Sequence, residues 1–287
     1  MGNMSDLENK IIVLGNLVRP EVADKINQLK PFLLSQGQVV AVCQADNLGE
    51  AETDGVVLAV VFGGDGTLLA AARNLAETGI AILGVNMGKF GFLAEFDFEQ
   101  MKQQLPLILA GESIITERMM LDVAVYSGGN CVARSPAMNE AAICAGADFR
   151  MIDVHVAQNG SSIAQYLGDG LVVSTPTGTT GYGLSAGGPI LSPTLDAISI
   201  TPVAPHTVSI RPIVVRSDQT ISITAVRVNR GTSVMLDGQI NIPLGKGDIV
   251  EVKRGSMCAK FVSNPTRNFF ATLAGKFQWG RSPHHDQ

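Results

Sequence analysis

From Ile11 to Ala110, short apolar runs alternate with amphipathic stretches. Ile11-Ile12-Val13-Leu14, Val39-Val40-Ala41-Val42, Val56 to Phe62 and Ile80-Ala81-Ile82-Leu83 are apolar at consecutive rather than alternate positions. Strands of that kind are buried on both faces, as in a parallel sheet covered by helices on each side. Between them, Glu21 to Leu34 and Thr67 to Ala76 place apolar residues three and four apart, and that spacing predicts helices. A further helix is predicted from Phe98 to Ala110. Repeated strand–helix–strand order implies an open α/β sheet.

From Ile114 the rhythm changes. Leu121 to Tyr126 and Cys131-Val132-Ala133 flank Ser127-Gly128-Gly129-Asn130. Val154 to Ala157 runs into Gln158-Asn159-Gly160-Ser161, and Asn-Gly suits the type I′ turn of a β-hairpin. Ile210 to Val215, Thr220 to Val226, Ser233 to Leu236 and Ile249 to Val252 continue in short strands with glycine-rich breaks. The expectation is an α/β domain over residues 1–112 and a β-rich domain over 113–265. The tail, 266–287, is expected to return to the first domain, with a short helix in Asn268 to Trp279.

Composition narrows the field. Of 287 residues, 46% are apolar and 16% charged, ample material for a dry core. The balance of 21 Lys plus Arg against 26 Asp plus Glu leaves a net charge of −5, without the overall basic field of a nucleic-acid binder. An anionic ligand is therefore expected to be held by local backbone amides, a few cations and a metal ion. Cys43, Cys131, Cys144 and Cys258 lie far apart, which predicts free thiols rather than disulfides or a zinc site. The polar stretch Met1 to Lys10 is no signal peptide and no apolar run is long enough to span a membrane, so a cytoplasmic protein without a membrane partner is expected.

The sharpest local feature is Gly63-Gly64-Asp65-Gly66-Thr67, directly after one predicted strand and before a predicted helix. In that order a backbone can approach a phosphate closely while a helix N-terminus faces its charge. Asp65 is expected at the loop tip, at the carboxyl edge of the sheet, where open α/β folds bind ligands. A carboxylate beside a phosphate is awkward unless it handles a proton or a metal. Asp65 therefore reads as a general base, as an acceptor orienting a hydroxyl, or as a Mg²⁺ contact; the plainer alternative is a cap on the following helix. The loop is neither a Walker loop nor a G-x-G-x-x-G fingerprint.

The second constellation is Gly168 to Tyr182, a short apolar strand followed by Ser174-Thr175-Pro176-Thr177-Gly178-Thr179-Thr180-Gly181-Tyr182. Its hydroxyls suit a base edge and a ribose, and the tyrosine ring can line an adenine or ribose pocket; a Gly/Thr-rich loop closing the β domain is the structural alternative. Asn139-Glu140 follows Ser135-Pro136-Ala137-Met138 at the start or edge of a strand. Neighbouring strand residues point to opposite faces, so both reach one ligand only where the strand ends or bulges. By itself this pair reads as solvent-facing.

Together these residues resemble the NAD kinase family. GGDGT at Gly63–Thr67, Asn139-Glu140, the run Asp169 to Tyr182 with its STPTG core, Leu184 to Pro189 and Asp237-Gly238-Gln239 stand in the family's order. The likeness extends to a tail with Lys276 and Trp279. GGDGT is shared with lipid kinases and phosphofructokinases, whereas the STPTG run is far more specific. The resemblance implies an ATP-dependent NAD kinase with Mg²⁺, with Asp65 as proton acceptor and Gly63, Gly64 and Gly66 beside it at the nucleotide. It puts Asn139 and Glu140 on the adenosine side of NAD. Arg150, Asp169, Thr177, Thr180, Gly181, Tyr182, Ser185 and Gln239 match further ligand contacts. It also implies an α/β N-terminal domain with an open, mostly parallel sheet and a sandwich-like all-β C-terminal domain, and a homodimer or homotetramer in which subunit contacts help complete the NAD site.

Four positions depart from the family pattern. Thr179, Gly181 and Gly183 stand where Ser, Ala and Ser are common, and Leu167 stands where many bacterial members carry Arg. These changes bear on fine specificity and leave Asp65 and Asn139-Glu140 untouched. His155, His206 and His284-His285 show no metal-ligand spacing, and no serine sits in a nucleophile elbow. A lipid kinase sharing the glycine loop needs an apolar acceptor groove, against which the polar run Ser174 to Tyr182 argues. A non-catalytic NAD-binding regulator would suit a chain without Asp65.

Overall fold

The computed structural model describes residues 9–88, 91–147 and 150–279. The start of the polar N-terminal stretch and the His284-His285 tail lie outside them. In chain order the elements begin with β1 (Lys10–Gly15), α1 (Pro20–Gln36), β2 (Gln38–Gln44), β3 (Val56–Gly63), α2 (Asp65–Leu75), β4 (Ala81–Asn86) and α3 (Phe98–Leu109). There follow β5 (Ile115–Ser127), β6 (Asn130–Ala137), β7 (Glu140–Cys144), β8 (Ile152–Gln158), β9 (Ser161–Gly168) and β10 (Gly170–Ser174). A 3₁₀ turn, Thr177–Thr180, leads to the short α4 (Tyr182–Ser185). The chain continues through β11 (Ala197–Val203), β12 (Ile213–Arg216), β13 (Ile221–Arg227), β14 (Ser233–Leu236) and β15 (Ile240–Pro243), then β16 (Ile249–Val262) and α5 (Phe269–Phe277). It divides into two compact units, residues 1–117 with 259–287, and residues 118–258.

In the first unit the strands run parallel in the order β2-β1-β3-β4, and Lys260 and Phe261 at the end of β16 pair in parallel with Ala81 and Ile82. The helix α1 begins with Pro at its first position and buries Val22, Ile26, Leu29 and Leu33, four- and three-residue steps that keep one face on the sheet. They join Ile11, Val13, Leu58, Val60, Phe62, Leu83 and Val85, with Met101, Leu105 and Ile108 of α3, in one core. Each such side chain contributes about 1.5–3 kcal/mol on burial. Asp97 closes a capping box with Gln100 at the start of α3. Close by, buried Asn264 takes its backbone N–H to Glu95 Oε2 (2.8 Å) and its side-chain amide to the Glu95 carbonyl (2.9 Å) and Gln100 Oε1 (3.2 Å). That knot ties the returning chain to the segment before α3.

The second unit is an antiparallel β-sandwich. One sheet has the order β16-β13-β8-β9, with β5 beside β16 and β6 beside β5; the other is β12-β11-β10-β7-β14-β15. Val154, Val156, Ile221, Ile223, Val250 and Val252 from the first meet Ala141, Ile143, Leu171, Val173, Ile198, Ile200, Val234 and Leu236 from the second. Alternate residues on each strand therefore face the core, as in packed antiparallel sheets. The β8–β9 turn carries positive φ at Asn159 (47°) and Gly160 (79°), the I′ geometry that Asn-Gly predicts.

Several elements differ from the sequence expectation, among them β2, a half-buried edge strand where the sequence predicts burial on both faces, and β15, which has no counterpart in it. The helix α2 begins at Asp65, not Thr67, so Asp65 is a helical residue rather than a loop tip. The strand β16 extends far beyond Val252, because the polar stretch after it pairs with β5. The strand β11 has no counterpart in the expectation: it buries Ser199 and Thr201, which hide its apolar rhythm.

Candidate active site

In the first unit the glycine turn closes β3 and opens α2. Gly63 is buried, and a side chain there would collide with Thr67, its Cγ2 only 2.9 Å from a Cβ. Exposed Gly64 is the N-cap of α2 without a side-chain cap, its carbonyl accepting from Thr67 (3.0 Å) and Leu68 (3.2 Å). Gly66 follows on the first, exposed turn of the helix. Asp65 does not cap α2. Its carboxylate instead accepts the backbone N–H groups of Phe92 (2.8 Å), Leu93 (3.0 Å) and, more weakly, Ala94 (3.4 Å). Lys276 of α5 brings its ammonium to 3.8 Å from Asp65 Oδ2, both side chains about one-third exposed (33% and 31%). This anchorage turns the acid out of the helix-cap role and holds it at one place.

In the second unit Asn139 ends a turn and Glu140 opens β7. The backbone N–H groups of Met138 (2.9 Å), Asn139 (2.7 Å) and Glu140 (3.2 Å) all donate to the carboxylate of buried Asp237. Asp237 takes φ of 51° and Gly238 66° in the tight turn between β14 and β15, and Asp237 N–H returns to the Glu140 carbonyl (3.0 Å). The pair thus stands where the strand starts, the condition under which both side chains reach one ligand.

The Ser174–Gly183 segment folds over this pair. Thr175 N–H donates to the Asn139 carbonyl (2.8 Å), Thr175 Oγ1 to the Met138 carbonyl (2.8 Å), and Gly178 packs directly against Asn139 backbone. Ser174 lies opposite Glu140 across the β10–β7 ladder. The Cβ position of Gly181 is 3.3 Å from Glu140 Oε2 and 3.5 Å from Asn139 Nδ2, and that of Gly183 is 3.0 Å from Ser174 Oγ. Asn139 Oδ1, Glu140 Oε2, Ser174 Oγ and Thr177 Oγ1 are buried without a hydrogen-bond partner. An unmatched buried polar atom costs about 1–3 kcal/mol, so four on interlocked segments point to a polar ligand that completes them. Burial, and secondly the Asp237 charge, push the Glu140 carboxyl up to about 8.

Tyr182 is partly exposed, with its phenol raised by burial and by Cys144, Asp169 and Glu140 nearby. Thr180 turns its hydroxyl back to the Thr177 carbonyl (3.1 Å), and Ser185 is exposed at the end of α4. Exposed Gln239 follows the Asp237-Gly238 turn. Asp169 and Arg150 are not gathered at Asn139-Glu140. Asp169 precedes β10 and its carbonyl accepts from Ala145 (2.8 Å), at the Cys144 end of β7, about 13 Å of strand from Glu140. Exposed Arg150 offers its carbonyl to Asn229 Nδ2 (2.6 Å).

Sequence reasoning passed over four parts of these sites: the Phe92–Ala94 amides, Gly91 behind them, Lys276 as a partner of Asp65, and Asp237 as the organiser of Asn139-Glu140. The glycines at 84, 88 and 91 were the available signal, since closely spaced glycines mark close backbone approach.

Residues 11–113 match the family model of the ATP-NAD kinase N-terminal domain, and residues 138–264 that of the ATP-NAD kinase C-terminal domain. The chain belongs to the ATP-NAD kinase family. It is 42% identical to the NAD kinase of Geobacter sulfurreducens over 223 residues, 78% of each chain. With the NAD kinase of Acidithiobacillus ferrooxidans it shares 35% identity over 289 aligned positions, 96% of this chain and 98% of the relative. A crystal structure of yeast NADH kinase complexed with NADH superposes with a TM-score of 0.87 at 19% identity, covering 99% of this chain and 91% of that one. An NAD kinase from Archaeoglobus fulgidus in complex with ATP gives 0.73 at 25% identity, over 94% and 98%. As an NAD kinase the chain is an ATP-dependent phosphotransferase. Its α/β unit and antiparallel sandwich are the fold of those two structures.

Proposed function

We propose that this NAD kinase moves the γ-phosphoryl group of ATP onto the 2′-hydroxyl of the adenosine ribose of NAD, giving NADP and ADP, with Asp65 as the proton acceptor. The carrying observation is the Asp65 carboxylate, fixed by the 92–94 amides at the mouth of the Gly63–Gly66 turn. Held there, it accepts the hydrogen bond of the ribose hydroxyl and takes its proton as the oxygen attacks phosphorus in line. Gly63, Gly64 and Gly66 leave the backbone open to the nucleotide. Asn139, Glu140, Ser174 and Thr177 meet the adenosine with their unmatched oxygens; as a neutral acid, Glu140 can donate as well as accept. Thr180, Gly181, Tyr182, Ser185 and Gln239 line the same nucleotide.

Among the described residues no group of three His, Cys, Asp or Glu could cage a metal. Asp65, the carboxylate at the glycine turn, would be the side chain that meets a Mg²⁺ ion carried in on the phosphates of ATP. Such an ion would supply positive charge that draws electron density from the phosphate oxygens.

Asp169, near enough to raise the Tyr182 phenol, lies toward the same nucleotide, whereas exposed Arg150, beyond the Cys144 end of β7, suits a homodimer or homotetramer in which each subunit lends it to its neighbour's NAD. The polar oxygens around Glu140 disfavour a lipid acceptor, and the anchored Asp65 disfavours a silent regulator. Among the described residues no helix is long and apolar enough to cross a membrane; a cytoplasmic location is the reading that accompanies NAD and ATP as substrates.

The test is Asp65→Asn in an end-point assay for NADP with Mg²⁺, ATP and NAD. NAD affinity should stay within about threefold while kcat falls by about 10²–10⁴, the usual worth of a general base. Near-wild-type kcat in the variant would overturn the role.

A further inference from the structure

Lys276 sits one residue before the end of α5, where a basic side chain ordinarily serves the helix dipole. Its surroundings give it another direction. The Phe92 ring packs between Phe269 (centroids 6.0 Å apart) and Phe277 (5.8 Å, stacked), which docks α5 on the segment that clamps Asp65. Over that same ring lies the Lys276 ammonium, 4.9 Å from its centroid. From there it reaches to 3.8 Å from Asp65 Oδ2, close enough for charge attraction but beyond hydrogen-bond length.

Asp65 already accepts three backbone N–H groups, so Lys276 is not needed to hold it. Among the described residues, what the site lacks without Lys276 is a positive charge. A polyphosphate arriving beside the Asp65 carboxylate meets like charge, and the described groups against that carboxylate are otherwise neutral amides. An ammonium on a flexible four-carbon stem, with three donors, can turn from a carboxylate to a phosphate at little cost.

We infer that Lys276 is the phosphate-binding cation of the Asp65 site, pairing with the carboxylate in the free protein and passing to the terminal phosphates of ATP when the nucleotide enters. The inference deepens the phosphotransfer reading above and rests on it for its ligand. It gives α5 a function: the Phe269–Phe92–Phe277 cluster aims a cation at the reacting phosphate.

The test uses the full chain with Lys276→Gln, Lys276→Cys, and Lys276→Cys aminoethylated with bromoethylamine, which rebuilds an ammonium of nearly the same reach. Calorimetry measures Mg²⁺–ATP and NAD separately, and steady-state assays follow NADP. For Lys276→Gln the Kd of ATP should rise about tenfold or more and kcat should fall about 10²-fold. NAD affinity should hold within about threefold and the melting temperature should be unchanged. Aminoethylation should return at least a tenth of the lost rate, whereas treated wild type should not gain. Wild-type ATP affinity in Lys276→Gln overturns the inference. So does a loss confined to NAD, which would assign the ammonium to the dinucleotide's pyrophosphate, or a loss that aminoethylation leaves uncorrected, which would make the lysine structural. If wild type forms no NADP yet Lys276→Gln still weakens ATP binding, the acceptor assignment fails while the cation stands.

Discussion

Gly91 offers the most direct test of how Asp65 is held. It is buried behind the carboxylate, and an alanine methyl there would lie 2.6 Å from Asp65 Oδ2 and closer still to Oδ1 and Cγ. Its φ is outside the left-handed region, so alanine is acceptable to the backbone, and the nearest atoms its methyl would meet all belong to Asp65. The short aspartate side chain can relieve it only by swinging out, which breaks the bonds from Phe92, Leu93 and Ala94. Hydrogen bonds to a charged acceptor are worth about 1.5–3 kcal/mol each. Water recovers part of that at a side chain 31% exposed, so Gly91→Ala should cost only about 1–3 kcal/mol of stability. The rate should suffer more: a base displaced by about an ångström loses about 10²-fold or more. Urea unfolding gives the first quantity and the NADP assay the second. In an Asp65→Ala background Gly91→Ala should add no further loss of kcat, because its target is gone. If Gly91→Ala keeps kcat within about threefold of wild type, or if the two losses multiply, the amide clamp does not position Asp65.

Glu140 makes the stability of the ligand-free protein depend on pH. Its carboxyl is raised from an ordinary 4.5 to about 8 in the folded chain, so between those values the folded state holds a proton that the unfolded state has released. The contribution is fully present below pH about 4.5 and is lost as pH climbs to about 8, a change on the order of a few kcal/mol. Glu140→Gln cannot ionise; thermal melts at pH about 5, 6.5 and 8 should show wild type losing ground to it, and a difference constant with pH would contradict the burial argument. Gly178→Ala would drive a methyl into the Asn139 backbone, 2.7 Å from its Cα, and should lower the unfolding free energy by about 1–3 kcal/mol, with the urea midpoint falling accordingly, and weaken NAD affinity. A variant with a wild-type midpoint would mean that the two segments are not interlocked.

Much of the architecture was written locally. Consecutive apolar residues at Ile11–Leu14 and Val56–Phe62 announce strands covered on both faces, and alternation at Val154–Ala157 or Ile221–Arg227 announces strands with one face on a core, because side-chain periodicity is a property of a few adjacent residues. Asn159-Gly160 specified its turn and Gly63–Thr67 its strand-to-helix junction for the same reason. The long β16 escaped because the polar stretch after Val252 gains its place only from distant partners, β5 and, at Lys260 and Phe261, β4.

The working parts of the two sites were set by folding alone. Asp65 finds its amide partners 27, 28 and 29 residues away, and Asp237 finds Met138, Asn139 and Glu140 at separations of 97–99. Every residue but proline carries the same N–H, so the sequence bears no mark of which amides a carboxylate will collect. It determined that Asp65, Glu140, Asp237 and Lys276 would be acids and a base. Only the tertiary structure decided that one acid is clamped by amides beside a lysine while another is buried neutral beside a carboxylate, since charge and hydrogen bonding act through space and not along the chain.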